Sequence, residues 1–334
     1  MNIKDSFDKA KRIGLFDSGL GGLSVLKQLL MLPEPSDKSD EMVPLNDDNN
    51  PSSQKKQNYI KKEYVYFADT ARCPYGGRSQ SEIQEFVKQI VDWLFRNDVD
   101  LVIMACNTSA ALVEPSMRGE FPLPMIDLLH STGDIVRMNR YKRVGVMSTL
   151  ATAKTKAFSQ AITRKEPSAQ VFELACPDLV PLVEGNKAKS REAVEALNPY
   201  AKELIAHNVE AIIYGCTHFP FLHESMRRCL TELNASAIEM IDPAICLTEE
   251  LLGWDISNRI SATSKDSIQS YQPDFSDLND RCRFVTTGKI EPFASGINNN
   301  LGLPFSKIET ISVGDLKTSN QPKSSQNSTS NIHL

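Results

Sequence analysis

Two cysteines occupy matching local settings and are the residues of this sequence best placed to perform chemistry. Cys106 follows the apolar run 101–105, and Cys216 follows the apolar run 211–215. Each cysteine comes directly after a small residue, and a helix is expected to begin directly after each of them. A helix N-terminus lowers the pKa of a thiol and favours a bound anion. The pattern therefore indicates two reactive thiols.

A single buried cysteine is more often a small apolar core residue than a reactive group. Two cysteines at the carboxyl ends of parallel strands favour a function, because open α/β sheets bind their ligands at that edge. We expect the two thiols to face each other across a cleft, one as a general base and the other as a general acid. The other five cysteines lack this setting, and the seven form no C-x-x-C pair that would indicate zinc.

A glycine-rich turn at 17–23, which begins with Asp17, follows the first predicted strand. Its glycines let the backbone approach a ligand closely. One alternative is a dinucleotide-binding turn, with Asp69 at the end of the next strand as the ribose-binding acid. However, the turn lacks the G-x-G-x-x-G spacing, and an acid at its start would repel a pyrophosphate. Asp17 is better suited to stand beside an ammonium group or a protonated thiol.

Two further polar residues, Tyr75 and His218, are candidates for the same cleft. Tyr75 lies in the turn 69–76, which a proline and a glycine shape at the end of the second predicted strand. His218 follows Cys216 by two residues and can tune that thiol or move its proton. Glu184, judged on its spacing alone, is a solvated helix acid.

Short apolar runs alternate with amphipathic stretches along the chain, which predicts strands alternating with helices. The predicted strands span 12–16, 63–68, 101–105, 143–147, 171–175, 211–214 and 238–241. The predicted helices span 20–31, 81–95, 191–207 and 221–233. This alternation is typical of parallel sheets with helices on both faces. We therefore predict an α/β fold with two similar parallel-sheet domains that face each other across a cleft.

Strand signals recur on both sides of about residue 130, so we expect a first domain at 1–130 and a second domain at 131–284. A return of segment 285–314 to the first domain is left open. Residues 33–62 are polar and charged, which predicts a disordered insertion, more simply a solvated loop than a docking motif. The polar tail 317–334 is also expected to be disordered, and 257–280 is a candidate second long loop.

The composition excludes several classes of protein. Hydrophobic residues make up 41 % and charged residues 24 %, close to globular averages, and no apolar run is long enough to cross a bilayer. The net charge of −5 creates no overall attraction for nucleic acid. The polar N-terminus lacks the apolar core of a signal peptide, which predicts a cytoplasmic protein with reduced thiols. We expect no nucleic-acid or membrane partner, and a homodimer is left open.

Six segments together resemble the glutamate racemases of the aspartate/glutamate racemase family. They are 17–23, 69–76, 105–108, 145–152, 176–184 and 215–220, and they occur in the family's order. The paired cysteine motifs are the most specific of the six. The histidine two residues after Cys216 resembles the glutamate enzymes rather than the aspartate branch. The insertion at 33–62 and Ser109, where alanine is common, depart from the family pattern without touching a predicted base.

The resemblance implies a role for each matching residue. Cys106 and Cys216 match the two catalytic bases, and the catalytic neighbours are Asp17, His218 and Glu184. Ten residues match substrate-binding positions: Asp17, Ser18, Tyr75, Gly76, Asn107, Thr108, Thr149, Thr152, Thr217 and His218. The family also implies an enzyme that needs no cofactor and no metal. Its small-molecule partner is glutamate, which it converts from the L to the D form for peptidoglycan synthesis, cell-wall biogenesis and cell shape.

Two alternative functions would use the same cleft. A nucleotide-dependent oxidoreductase would bind nicotinamide or flavin, and a non-catalytic amino-acid-binding protein would bind glutamate without exchanging its α-proton. Two facing cysteines favour racemisation, because one thiolate can remove the Cα proton while the opposite thiol delivers another. The motifs hold no lysine placed for a pyridoxal Schiff base, and Arg72 is their only strong cation. The substrate carboxylates are therefore expected to bind mainly to neutral donors.

Overall fold

Seven strands form the larger of two sheets in the computed structural model, which describes residues 3–32, 61–252, 278–301, 307–317 and 332–333. These strands are β1 (Arg12–Asp17), β2 (Glu63–Ala68), β3 (Leu101–Met104), β4 (Met125–Asp127), β9 (Cys282–Thr286), β10 (Lys307–Thr310) and β11 (Ile332–His333). Their order across the sheet is β11-β10-β9-β2-β1-β3-β4. Each neighbouring pair is parallel except β10 with β11, which is antiparallel.

Four parallel strands form the smaller sheet, in the order β6-β5-β7-β8. They are β5 (Arg143–Ser148), β6 (Gln170–Ala175), β7 (Ala211–Gly215) and β8 (Glu239–Ile241). Strands β3 and β7 are buried along their whole length, as expected for central strands covered on both faces. The predicted α/β class with two parallel-strand sheets is confirmed.

Helices cover both sheets, and the longest show the expected end signals. Helix α3 begins after Ser79, whose hydroxyl accepts from the Glu82 amide while the Glu82 carboxylate accepts from the Ser79 amide. The α-helices are α1 (Ile3–Lys9), α2 (Leu23–Leu30), α3 (Gln80–Arg96), α4 (Asn107–Leu112), α5 (Pro115–Arg118), α6 (Leu129–Met138), α7 (Leu150–Thr155), α8 (Ala157–Lys165), α9 (Leu179–Glu184), α10 (Arg191–Ala206), α11 (His223–Glu232), α12 (Pro243–Leu252), α13 (Leu278–Arg281), α14 (Ile290–Leu301) and α15 (Val313–Lys317). Within the described ranges, no helix combines the length and apolar character needed to span a membrane.

The two sheets share part of one apolar core. A single cluster of buried side chains contains Phe16 and Val102 from the larger sheet and Val144 and Val146 from the smaller sheet. The predicted domain boundary at residue 130 falls inside α6. No run of prolines or glycines separates this helix from the chain on either side of it. The predicted end of the second domain at 284 falls inside β9, which pairs with β2 in the larger sheet. A strand's apolar pattern does not specify which strand it will pair with, so the sequence could not assign β9.

Parts of the segments predicted to be disordered have defined contacts. Lys62, at the end of the predicted insertion, donates from its Nζ to the carbonyls of Phe7, Asp8 and Ala10 at 2.7, 2.9 and 2.6 Å. In the predicted tail, α15 ends at Lys317 and β11 pairs with β10. Residues 33–60, 318–331 and 334, and most of the predicted loop 257–280, lie outside the described residues.

Candidate active site

Both cysteines lie at the carboxyl ends of central parallel strands, as predicted, but only one directly precedes an α-helix. Cys106 follows Ala105 after β3 and is the N-cap of α4. After Cys216 the chain forms a short 3-10 helix, Phe219–Leu222, and α11 begins only at His223. An α-helix starting at Cys216 would need the amide of residue 220 to donate to the Cys216 carbonyl. Proline 220 has no N–H, and the Phe219 amide donates there instead at 3.0 Å.

The two thiols line one small pocket built from loops that follow strands of both sheets. The lining residues are Ser18, Pro74, Tyr75, Gly76, Cys106, Asn107, Thr108, Thr149, Val180, Cys216, Thr217 and His218. Cys106 is 4 % exposed and Cys216 is 5 % exposed, so the pocket holds both thiols away from bulk water. Sequence reasoning missed Pro74 and Val180 as lining residues. An apolar side chain that lines a pocket has the same sequence pattern as one in the core.

Three predicted site residues do not line the pocket but stand directly behind residues that do. Asp17 accepts a hydrogen bond from the Thr217 hydroxyl at 2.9 Å. Glu184 contacts His218, and Thr152 contacts Thr149 with 3.0 Å between their hydroxyl oxygens. The structure therefore places Asp17, Glu184 and Thr152 one layer back from the pocket wall.

Cys216, His218 and Glu184 form a relay that leads away from the pocket. The Cys216 Sγ lies 3.8 Å from His218 Nδ1, and His218 Nε2 lies 2.6 Å from Glu184 Oε1. Burial alone would lower the pKa of His218, but its hydrogen bonds to Cys216 and Glu184 raise that pKa well above the ordinary value. Burial would raise the pKa of Glu184, but His218 lowers it overall. The relay therefore favours an imidazolium between a carboxylate and a sulfur.

Cys106 has a different electrostatic environment from Cys216. Burial, and next the charge of Asp17, raise the pKa of the Cys106 thiol to about 12, although Ser109 partly opposes the rise. Burial also raises the pKa of Asp17, which accepts from the Gly19 amide at 2.9 Å. Near neutral pH, Cys106 therefore carries its proton and can act as an acid.

Neutral hydrogen-bonding groups make up the rest of the pocket wall. The hydroxyls of Thr108, Thr149 and Thr152 form a triangle with oxygen separations of 3.0, 3.0 and 3.2 Å. Asn107 is 2 % exposed, and both polar atoms of its side chain lack a partner among the described residues. A buried amide without partners carries a free-energy penalty unless a ligand satisfies it. Asn107 and the threonines therefore offer donors to a polar ligand.

Asp69 fixes the position of Tyr75 instead of being free to bind a ribose. Its Oδ2 accepts from Arg72 Nε at 2.6 Å and from the Tyr75 hydroxyl, and its Oδ1 accepts from the Thr287 hydroxyl at 2.8 Å. Arg72 also donates to Gln89 Oε1 at 2.7 Å. Asp69 and Arg72 therefore form a buried support beneath Tyr75 and do not line the pocket, which argues against the dinucleotide alternative.

Comparisons with known proteins identify a matching family and relatives over most of the chain. The Asp/Glu/Hydantoin racemase family model matches residues 56–251. A curated glutamate racemase from Microcystis aeruginosa is 39 % identical over 249 residues, which cover 72 % of this chain and 77 % of that protein. A curated glutamate racemase from Trichodesmium erythraeum is 34 % identical over 277 residues, which cover 81 % of this chain and 91 % of that protein.

Solved structures have the same fold. A glutamate racemase from Francisella tularensis in complex with D-glutamate matches with a TM-score of 0.69 and 25 % identity. The match covers 92 % of this chain and 98 % of that chain. A glutamate racemase from Bacillus anthracis matches in fold with a TM-score of 0.68, 24 % identity and coverage of 91 % of this chain and 98 % of that one.

Proposed function

Because the chain belongs to the Asp/Glu/Hydantoin racemase family, we propose that it is a glutamate racemase that interconverts L- and D-glutamate without a cofactor. The curated relatives that match most of its length are named glutamate racemases. The observation that carries the proposal is the placement of Cys106 and Cys216 in one buried pocket lined mainly by polar groups.

In the proposed reaction, one cysteine removes the Cα proton and the other protonates the opposite face of the carbon. With Cys216 as the base, its thiolate takes the proton and the electron pair stays on Cα. The Cys106 thiol then donates its proton to Cα and becomes a thiolate. The product has the opposite configuration. Loss of the proton on Cys216 to solvent and uptake of a solvent proton by Cys106 then restore the starting state. The reverse reaction exchanges the two roles.

The surroundings of the two thiols support different resting states. Glu184 favours the protonated form of His218, whose Nδ1 lies 3.8 Å from the Cys216 Sγ, so a cation stands beside this sulfur. Burial and the charge of Asp17 favour the neutral thiol at Cys106. We infer that Cys216 is the base in the resting enzyme and that Cys106 is the acid.

Neutral donors would bind the substrate and stabilise the charge that develops on Cα. The hydroxyls of Thr108 and Thr149, backed by Thr152, and the unpartnered Asn107 amide can donate to carboxylate oxygens. Tyr75, Gly76, Ser18 and Thr217 complete the pocket wall around the same space. Among the described residues, no Lys or Arg side chain lines the pocket.

We further propose that the D-glutamate supplies peptidoglycan synthesis and cell shape from a cytoplasmic location. This part of the proposal rests on the resemblance of the motifs to glutamate racemases. We also propose two sheet domains that enclose the substrate, with segment 285–314 belonging to the first domain, because β10 pairs with β9 there.

The test is polarimetry of L- and D-glutamate with protein that has been gel-filtered to remove small molecules. We expect optical rotation to decay to zero from either enantiomer. Binding of glutamate without any change in rotation would favour the amino-acid-binding alternative. A requirement for added nicotinamide or flavin would favour the oxidoreductase.

A further inference from the structure

Helix α14 contacts the glycine-rich turn at two points, although it is far from the cysteines in sequence. A Cβ placed on Gly296 would lie 2.3 and 2.5 Å from the methyl carbons of Leu20 and 3.0 Å from its Cγ. Three residues earlier in α14, the Phe293 ring stacks on the Tyr66 ring with centroids 6.1 Å apart and planes 15° apart. The Tyr66 hydroxyl donates to the Gly19 carbonyl at 2.9 Å. The helix therefore supports both Gly19 and Leu20.

The same turn contacts the relay behind Cys216. The Leu20 amide donates to Glu184 Oε1 at 3.1 Å, and that oxygen also contacts His218 Nε2. A Cβ on Gly19 would lie 2.5 Å from Glu184 Oε1, and a Cβ on Gly21 would lie 2.5 Å from His218 Nδ1. Glycine at these positions lets the backbone approach both side chains closely. Small displacements of the turn would therefore move Glu184 relative to His218.

We propose that α14 is a positioning element for the Cys216–His218–Glu184 relay and that Leu20 is the positioning residue that connects them. The proposal rests on the proposed function, since the relay is assigned there to one of the two bases. Leu20 is 6 % exposed and its side chain packs where Gly296 has none. The Leu20 methyl groups must move if Gly296 gains a Cβ, and because Leu20 is buried we expect the displacement to reach its amide, which donates to Glu184.

A weakened contact between Glu184 and His218 has a defined electrostatic consequence. The charged or titratable groups that act on His218 are Cys216, Glu184 and Asp17. The hydrogen bond that His218 donates to Glu184 is one of the causes that raise the pKa of His218. Its loss lowers that pKa, so His218 loses its proton at a lower pH. The alkaline limb of the pH profile of kcat/KM then moves to lower pH.

The test compares Gly296→Ala with Ser295→Ala, an exposed neighbour on the same helix. For Gly296→Ala we expect kcat to fall about tenfold with little change in KM, since a small misplacement of a proton-transfer group mainly affects the chemical step. We also expect the alkaline limb to shift to lower pH. Ser295→Ala is expected to match the wild type. Leu20→Ala in the Gly296→Ala background makes room for the new methyl group and should recover part of the loss.

Two further measurements separate this inference from folding defects and from the proposed function. Tyr66→Phe removes the hydroxyl that holds Gly19 but keeps the ring, and we expect it to shift the alkaline limb to lower pH. This variant tests the inference even if Gly296→Ala fails to fold. NMR titration of His218 reports its pKa whether or not the protein racemises glutamate. A wild-type His218 pKa and pH profile in folded Gly296→Ala, or in Tyr66→Phe, would overturn the inference. Absence of racemisation by the wild type would overturn the proposed function alone.

Discussion

Cys106 and Cys216 share a local sequence pattern but have different neighbours in space. Cys216 contacts His218, whereas Cys106 is affected most by burial and next by the charge of Asp17. The proposed reaction would therefore use two unlike thiols. In that mechanism one thiol removes the Cα proton and the other delivers a different proton to the opposite face, so neither thiol can replace its partner.

Replacing either Cys106 or Cys216 with alanine should abolish racemisation in both directions, because each direction needs one acid and one base. We expect a loss of at least about a thousandfold in kcat/KM, measured by polarimetry, with unfolding midpoints close to the wild type. Cys229→Ala is the matched control, since Cys229 is also fully buried but lies in α11 away from the pocket. Near-normal turnover in either active-site variant would remove that cysteine from the mechanism.

Asp17→Asn should reduce kcat/KM by about 10- to 100-fold, less than loss of a cysteine, because Asp17 tunes proton transfer and does not perform it. The negative charge of Asp17 adds to the burial that raises the pKa of Cys106. The variant should therefore lower the pKa of Cys106, which titration by ultraviolet thiolate absorbance can measure in a Cys216→Ala background. An unchanged thiol titration together with unchanged kinetics would show that Asp17 has no part in the site.

The motifs identified most of the residues that line the pocket, but not which predicted residues stand behind the lining. Residues such as Asn107 and Thr217 are recognisable because they directly follow a strand that ends at the ligand-binding edge. The same reasoning could not show that Asp17 and Thr152 stand behind the wall, since that depends on side-chain direction. The contact of Leu20 with Glu184 was also not predictable, because it involves a backbone amide and carries no side-chain signal.

At the scale of elements, a charged network holds the end of α4, the helix that begins after Cys106. Arg118 donates from Nη2 to the Ala110 carbonyl at 2.7 Å and forms an ion pair with Asp127. Asp127 accepts from the Leu129 amide at 2.8 Å at the start of α6. His130 lies 3.6 Å from Asp127 and 2.9 Å from Glu250 in α12. The network joins α4, α6 and α12.

This network predicts a pH dependence of stability. Burial would lower the pKa of His130, but its contacts with Asp127 and Glu250 raise it from 6.5 to about 9. The resulting stabilisation is complete below pH 6.5 and is lost as pH rises through 9. Between about pH 6 and about pH 9.5, the free energy of unfolding in urea should fall more for the wild type than for His130→Gln. An equal fall in the free energy of unfolding in the two proteins would show that His130 gains no proton affinity on folding.

The long helices and the central strands were predictable from the sequence, but short elements such as β4 and the pairing of strands were not. The period of apolar residues identified α3, α10 and the central strands, because each buries a continuous face. Strand β4 has three residues, too few to show a period. The start of α11 was misplaced because the missing N–H of Pro220 affects a backbone hydrogen bond that the apolar pattern does not report.

At the scale of the whole molecule, the pocket depends on the contact between the two sheets. The Thr217 hydroxyl, from the smaller sheet's loops, donates to Asp17 at the end of β1, and the Ser24 hydroxyl of α2 donates to the Thr217 carbonyl at 3.2 Å. The sequence could predict two groups of strands, but not that they share apolar core residues. That contact is long-range and leaves no periodic signal in the chain.

Deletion of residues 36–58 should leave catalysis and thermal stability nearly unchanged, because this polar segment can bury little apolar area. Closing a loop differs by only ~0.6 kcal/mol for each doubling in its length. The ends to be joined are near Leu32 and Lys62, both of which have defined positions. Polarimetry and thermal unfolding of the deletion variant with a short glycine-serine linker test this prediction. A large loss of turnover or expression would assign a structural or regulatory role to the segment.

The most direct test of the two-thiol account follows hydrogen at Cα during a single conversion. The delivering thiol carries hydrogen from solvent, because it exchanges between turnovers, while the removed proton goes to the other thiol. In deuterated water, mass spectrometry at low conversion of L-glutamate should find deuterium at Cα of the first D-glutamate formed. The remaining L-glutamate should gain little label. D-glutamate that keeps its original α-hydrogen, with label appearing in unreacted L-glutamate, would contradict the account.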